Sequence, residues 1–112
     1  MEEQSKKIWE ILRSHKGKRK AITAKALSEK SDLSEREVRR VISLLVRKEK
    51  ALIVSSVHDP YGFYIVKNLK ELMECHKQYR SRIKTLKERD SILYKNGMKK
   101  IAKRRSGRVQ IQ

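Results

Sequence analysis

Residues 34–66 constrain this chain more than any other stretch. Ser34 and Glu37 have the spacing of a capping box. In that motif the serine oxygen accepts from the Glu37 amide and the Glu37 carboxylate reaches back. Val38, Val41, Ile42 and Leu45 then fall at i, i+3, i+4 and i+7, the buried stripe of an amphipathic helix. The helix fades through Lys48-Glu49-Lys50. Two short β segments follow, over residues 52–56 and 63–66, with Asp59-Pro60-Tyr61-Gly62 between them. Proline and glycine suit a turn there, and neither suits a helix interior. The expectation is a mainly α fold with a small β-hairpin (α+β).

Upstream, Ile8, Trp9, Ile11 and Leu12 share one face of a helix over residues 3–14, with Gly17 as its stop. Trp9 reads most simply as a core residue. Thr23 can cap a second helix, residues 24–30, which buries Ala26 and Leu27 before Ser31-Asp32 breaks it. Phe63 and Tyr64 alternate along the second strand, so one should enter the core and the other should not.

Downstream, Asn68 is placed to cap a long helix that ends at Asn96-Gly97. Its seam positions alternate three and four apart, six of the eight apolar or aromatic: Leu69, Leu72, His76, Tyr79, Ile83, Leu86, Asp90, Leu93. That spacing is a heptad seam, and it predicts a coiled coil holding a homodimer. His76 and Asp90 weaken the seam and can set its register. The expected organisation is a domain over residues 1–66, a long helix over 67–96 and a flexible basic tail over 97–112. A core of about 65 residues is only marginally stable alone.

Charge now narrows the partners. The formal net charge is +17. Lys and Arg outnumber Asp and Glu by 15 to 9 before Lys67, and by 15 to 4 from Lys67 onward. A field this positive favours a polyanion. Aromatic residues are only 5% of the chain, too few for several stacking platforms, so duplex DNA fits better than RNA.

Thr23-Ala24-Lys25-Ala26-Leu27, then Ser34-Glu35-Arg36-Glu37-Val38-Arg39-Arg40-Val41-Ile42, then Ile53-Val54-Ser55-Ser56 and Gly62-Phe63-Tyr64-Ile65 form an ordered pattern. It resembles the winged helix-turn-helix domains of small phage and bacterial DNA-binding proteins, over about residues 5–66. The long helix that follows matches in placement more than in sequence. The resemblance implies a winged helix that binds double-stranded DNA, as a dimeric transcriptional regulator or a phage-type factor. Arg36, Arg39, Arg40 and Ser43 share an outer helical face and would read bases in the major groove. Lys16, Lys18, Arg19, Lys20, Thr23 and Arg47 would meet phosphates. His58 and Tyr61 stand in the wing, and Lys99, Lys100, Lys103, Arg104, Arg105 and Arg108 in the tail. One departure matters. The tip, Val57-His58-Asp59-Pro60-Tyr61, holds no Lys or Arg, which shifts weight onto helix three. The alternative is an interaction or assembly protein that docks on a replication or packaging partner, because this fold serves both ends.

Other chemistry is not expected. His15, His58 and His76 show no spacing with a nucleophile, and there is no glycine-rich phosphate loop or paired-carboxylate cluster. The reading is a non-enzyme without cofactor. Cys75 is the single cysteine, and adjacent residues such as Cys75 and His76 face different directions on a helix, so no metal is expected. No apolar run approaches the ~18 residues of a membrane span, and residues 1–4 do not look like a signal peptide. A soluble, cytoplasmic protein is expected.

Overall fold

The computed structural model describes residues 1–102. Its elements are α1 (Glu3–Leu12), α2 (Ala24–Ser31), α3 (Glu35–Lys48), β1 (Ile53–Ser56), β2 (Gly62–Ile65) and α4 (Leu69–Gly97). A single 3₁₀ turn lies at Lys18–Lys20, and a π-helical turn at Met98–Ala102. The fold is mainly α with a small antiparallel hairpin and a long C-terminal helix, as expected. The chain divides into two units, Met1–Cys75 and the remainder from His76. Lys103, Arg104, Arg105 and Arg108 of the expected tail lie outside the described residues.

The first unit is built on one core. Ile8 and Leu12 of α1, Leu27 of α2, and Val38, Val41, Ile42 and Leu45 of α3 meet Ile53 of β1 and Ile65 of β2. Fully burying a side chain of this kind contributes roughly 1.5–3 kcal/mol, so the cluster is the main source of stability. Trp9 and Ile11 pack at its edge, half-buried. Ala26 is also half-buried, whereas Ala24 and Ser31 lie inside. Ser31 is tolerated there because its hydroxyl donates to Leu27 O at 2.6 Å.

Local chemistry fixes the helix ends. Thr23 Oγ1 accepts from the Ala26 amide at 3.1 Å, and α2 ends where Asp32 turns left-handed at φ 62°. Short polar side chains visit that conformation more readily than most. At α3 the capping box is complete. Ser34 Oγ accepts from the Glu37 amide at 3.1 Å, and Glu37 Oε1 accepts from the Ser34 amide at 3.3 Å. α1 stops at Leu12, earlier than expected, where the His15 amide closes onto Leu12 O at 2.7 Å. Gly17 has a different task from the one its position suggests. It sits at φ 90° with its amide on Ile65 O at 2.8 Å, and a Cβ there would stand 2.9 Å from the Lys67 side chain.

The hairpin pairs Ile53 with Ile65, Val54 with Tyr64, Ser55 with Phe63 and Ser56 with Gly62. Its free edge is partly covered. Ile22 and Phe63 exchange backbone hydrogen bonds at 2.8 and 2.7 Å. This contact brings Ile22 O within 2.3 Å of where a Gly62 Cβ would lie, and Gly62 also has φ 126°. Only glycine fits such a place. Phe63 and Tyr64 alternate to opposite faces of the strand, Tyr64 buried and Phe63 half-buried. Phe63 packs against the main core, while Tyr64 joins Val66 and Cys75 in a second cluster on the other face. Both faces are covered because the first turns of α4 return over the hairpin. The compact unit therefore runs past Val66 to Cys75.

Asn68 caps α4, its Oδ1 accepting from the Glu71 amide at 2.9 Å. Beyond Cys75 no side chain of α4 is buried. Gly97 is not among the glycines with positive φ, so helical winding continues into the turn at Met98–Ala102. Among the described residues no helix is long and apolar enough to cross a membrane.

Candidate nucleic-acid interface

The capping box and the buried stripe orient α3 so that its opposite side faces water. Arg36, Arg39, Arg40, Ser43 and Arg47 are all exposed on that side. The structure thus brings the four base-reading candidates together on one face, with Arg47 beside them. They are not equivalent. The Arg39 guanidinium lies over the Phe63 ring, 5.8 Å from its centroid. A cation above an aromatic face is held by the ring quadrupole, so β2 props Arg39 toward the hairpin side. Arg40 leans the other way, onto α1. It donates to Gln4 Oε1 and stands 3.6 Å from Glu2 Oε1. Gln4 Nε2 in turn donates to Glu37 Oε2 at 3.3 Å. The carboxyl of Glu37 is held below the usual range, first by the Ser34 amide, then by the Ser34 hydroxyl, with Gln4 and the charge of Arg40 adding to the effect.

The basic segment between α1 and α2 is not a loose loop. Ile65 N donates to His15 O at 2.8 Å, and His15 Nδ1 lies 2.7 Å from Lys20 O. The Lys18 amide donates to Glu71 Oε2 at 2.9 Å, and the Lys67 amide to Glu71 Oε1 at 3.0 Å. Burial alone would raise the Glu71 carboxyl. The Lys18 and Lys67 amides, with the charges of both lysines, outweigh it and hold the group below the usual range. Lys16, Arg19 and Lys20 are exposed on this braced segment and Lys18 is half-buried. Thr23, a phosphate candidate from the sequence, is exposed; its hydroxyl oxygen accepts from the Ala26 amide as the α2 cap, and its O–H can still donate.

At the hairpin tip His58, Asp59 and Tyr61 are exposed. The tip is shaped by Ser56, whose Oγ donates to His58 O at 2.7 Å, and the Asp59-Pro60 peptide is cis. Lys99 and Lys100 lie exposed in the turn after α4. Among the described residues the ion pairs are Arg40 with Glu2 and Arg13 with Glu10, so no carboxylate neutralises Arg36, Arg39 or Arg47.

Sequence reasoning missed three supports of this face: Phe63 under Arg39, Gln4 and Glu2 beside Arg40, and Glu71 under the basic segment. Only the last had a local signal, because Asn68 and Glu71 have capping-box spacing. Comparison of the chain with protein-family models, with curated proteins and with solved structures gives no match.

Proposed function

We propose that the N-terminal unit is a winged helix that binds duplex DNA, with α3 in the major groove, in a non-enzymatic regulator or phage-type DNA-binding factor. The observation that carries this reading is the outer face of α3. It presents Arg36, Arg39, Arg40 and Ser43 together in solvent, on a helix fixed by its cap and its core stripe. Arginine pairs bidentately with guanine O6 and N7, and each good pair discriminates by about 1–3 kcal/mol. Lys16, Lys18, Arg19, Lys20 and Arg47 would meet phosphates and position the domain without reading sequence. His58 and Tyr61 would touch sugar or phosphate from the wing, and the basic tail would add backbone contacts.

The test is selection of a random duplex library on the full chain at about 150 mM salt, where non-specific attraction is weakened. Enrichment of a motif, and its loss in Arg36→Ala with Arg39→Ala, is the expected outcome. Unchanged affinity and preference in that variant would sink the reading.

A second reading has its own observation. The tip of the hairpin carries an acid and no Lys or Arg, and Arg40 is already engaged by Glu2 and Gln4. Under it the same unit docks on a replication or packaging protein. Stoichiometric recovery of a protein partner, with no duplex retained at physiological salt, would favour it.

A further inference from the structure

The distal part of α4 carries an apolar stripe that is exposed among the described residues. Tyr79, Ile83, Leu86 and Leu93 are 47%, 53%, 63% and 72% exposed. With His76 and Asp90 they occupy successive a and d positions over residues 76–93, a length of about 26 Å. The heptad spacing alone would assign a second copy of the chain to this stripe. The flanking positions argue otherwise. Arg80 and Lys87 fall at e, on one side, and Arg82 and Arg89 at g, on the other. All four are exposed, and the Arg82 guanidinium leans to within 5.8 Å of the Tyr79 ring centroid. Side chains at e and g set partner choice in a coiled coil. In a parallel pair of copies Arg82 would face Lys87 of the other copy. In an antiparallel pair Arg80 would face Lys87, and Arg82 would face Arg89. Each of these meetings is between like charges; the one other flanking meeting of a parallel pair beyond Cys75 sets Arg89 against Tyr94. A parallel pair would also bring two Asp90 carboxylates together in the seam. The remaining acid among the described residues of this unit, Glu88, falls at f, away from the stripe, and neutralises neither flank.

We propose that this face of α4 docks a helix of another protein, one with an apolar seam, acidic side chains along both flanks and a base level with Asp90. Charge complementarity selects that occupant over a second copy. The stripe selects it over a nucleic acid, which would pair with the cations and leave Tyr79, Ile83, Leu86 and Leu93 in water. The inference stands apart from duplex binding by α3, because none of the residues it uses lies in that unit.

The experiment uses the full chain and three synthetic helical peptides. Each carries Leu at a and d and Lys at the a position meant for Asp90, and they differ only in having Glu, Gln or Lys at every e and g. The expected result is a one-to-one complex with the Glu peptide, at least about tenfold tighter than with the Gln peptide, and none with the Lys peptide. The chain alone should sediment as a monomer. Arg80→Glu, Arg82→Glu, Lys87→Glu and Arg89→Glu together should reverse the preference toward the Lys peptide. Three results would overturn the proposal. Equal affinity for all three peptides would remove the charge rule. A dimer of the chain alone, lost in Ile83→Ser with Leu86→Ser, would make the second copy the occupant. Binding of the Glu peptide undiminished in Ile83→Ser with Leu86→Ser, and displaced by duplex DNA, would make the face a polyanion surface. Circular dichroism of each variant confirms that helix is retained before binding is read.

Discussion

α3 and α4 are written in the same apolar periodicity and end in opposite surroundings. Val38, Val41, Ile42 and Leu45 are 0–6% exposed, while the distal stripe of α4 stands in water. The difference lies in what each helix has within reach. α3 is followed at once by a hairpin and preceded by two short helices, so its stripe closes against α1, α2, β1 and β2. α4 keeps running after its first turns have covered Tyr64 and Val66, and none of its side chains beyond Cys75 is buried. Periodicity therefore states which side of a helix is apolar. It does not state what covers that side.

The largest expected effect tests this contrast directly. Leu45→Ala removes a side chain with no exposed surface and should cost about 2–5 kcal/mol of unfolding free energy, read by urea denaturation. Leu86→Ala, the same chemistry on the open stripe, should change the stability of the isolated chain by less than about 0.5 kcal/mol. A large loss at Leu86 would mean that the stripe is covered within the molecule, and the contrast would fail.

Next comes Gly62→Ala. The added carbon would stand 2.3 Å from Ile22 O on a backbone at φ 126°, so both the close approach and the conformation resist it. A loss of more than about 1 kcal/mol is expected, with the hairpin amides exchanging first. A neutral result would show that the Ile22–Phe63 pairing does not hold the hairpin edge.

The caps follow. Ser34→Ala removes the oxygen that accepts from the Glu37 amide and should cost about 1 kcal/mol. Because α3 is central to the core, that loss should appear in global unfolding. Asn68→Ala removes the matching acceptor on α4 at similar local cost. It should appear mainly as fraying around residues 66–72, read by hydrogen exchange. Equal global losses would place α4's first turns as deep in the cooperative unit as α3.

These elements also show where the sequence was legible. Capping spacing, the α3 stripe and the Pro-Gly turn are local signals, and they led to helices and strands close to those observed. The outward arginines of α3 follow from the same stripe, since whatever is not buried must face out. What could not be read were contacts between distant positions. Ile22 against Gly62, Arg39 over Phe63 and Arg40 on Gln4 each join residues far apart in the chain, and no local pattern encodes them. Gly17 shows the same limit from the other side: a glycine after a helix looked like its stop, and instead it takes a φ of 90° with its amide on Ile65 O.

The smallest effect is an acid one. Glu71 accepts from the Lys18 and Lys67 amides, and its carboxyl titrates below the ordinary range. A group with a lowered folded pKa stabilises the fold fully above its unfolded pKa, about 4.3 for Glu. That contribution is then lost as pH falls through the lower folded value. Glu37 follows the same sign through its bonds to Ser34. Stability should therefore hold from neutrality to about pH 5 and fall below it, at both the α3 cap and the start of α4. Glu71→Gln keeps an oxygen that can accept one of the two amides, but it has no charge to lose. In that variant the acid-dependent exposure of the Lys18 amide should disappear, while Ser34 and Glu37 still respond. If the Lys18 amide continued to open with acid in Glu71→Gln, Glu71 would not be the group that braces the basic segment. The two units would then differ less than their burial suggests, because the segment beside the proposed phosphate contacts would be as free as α4's open stripe.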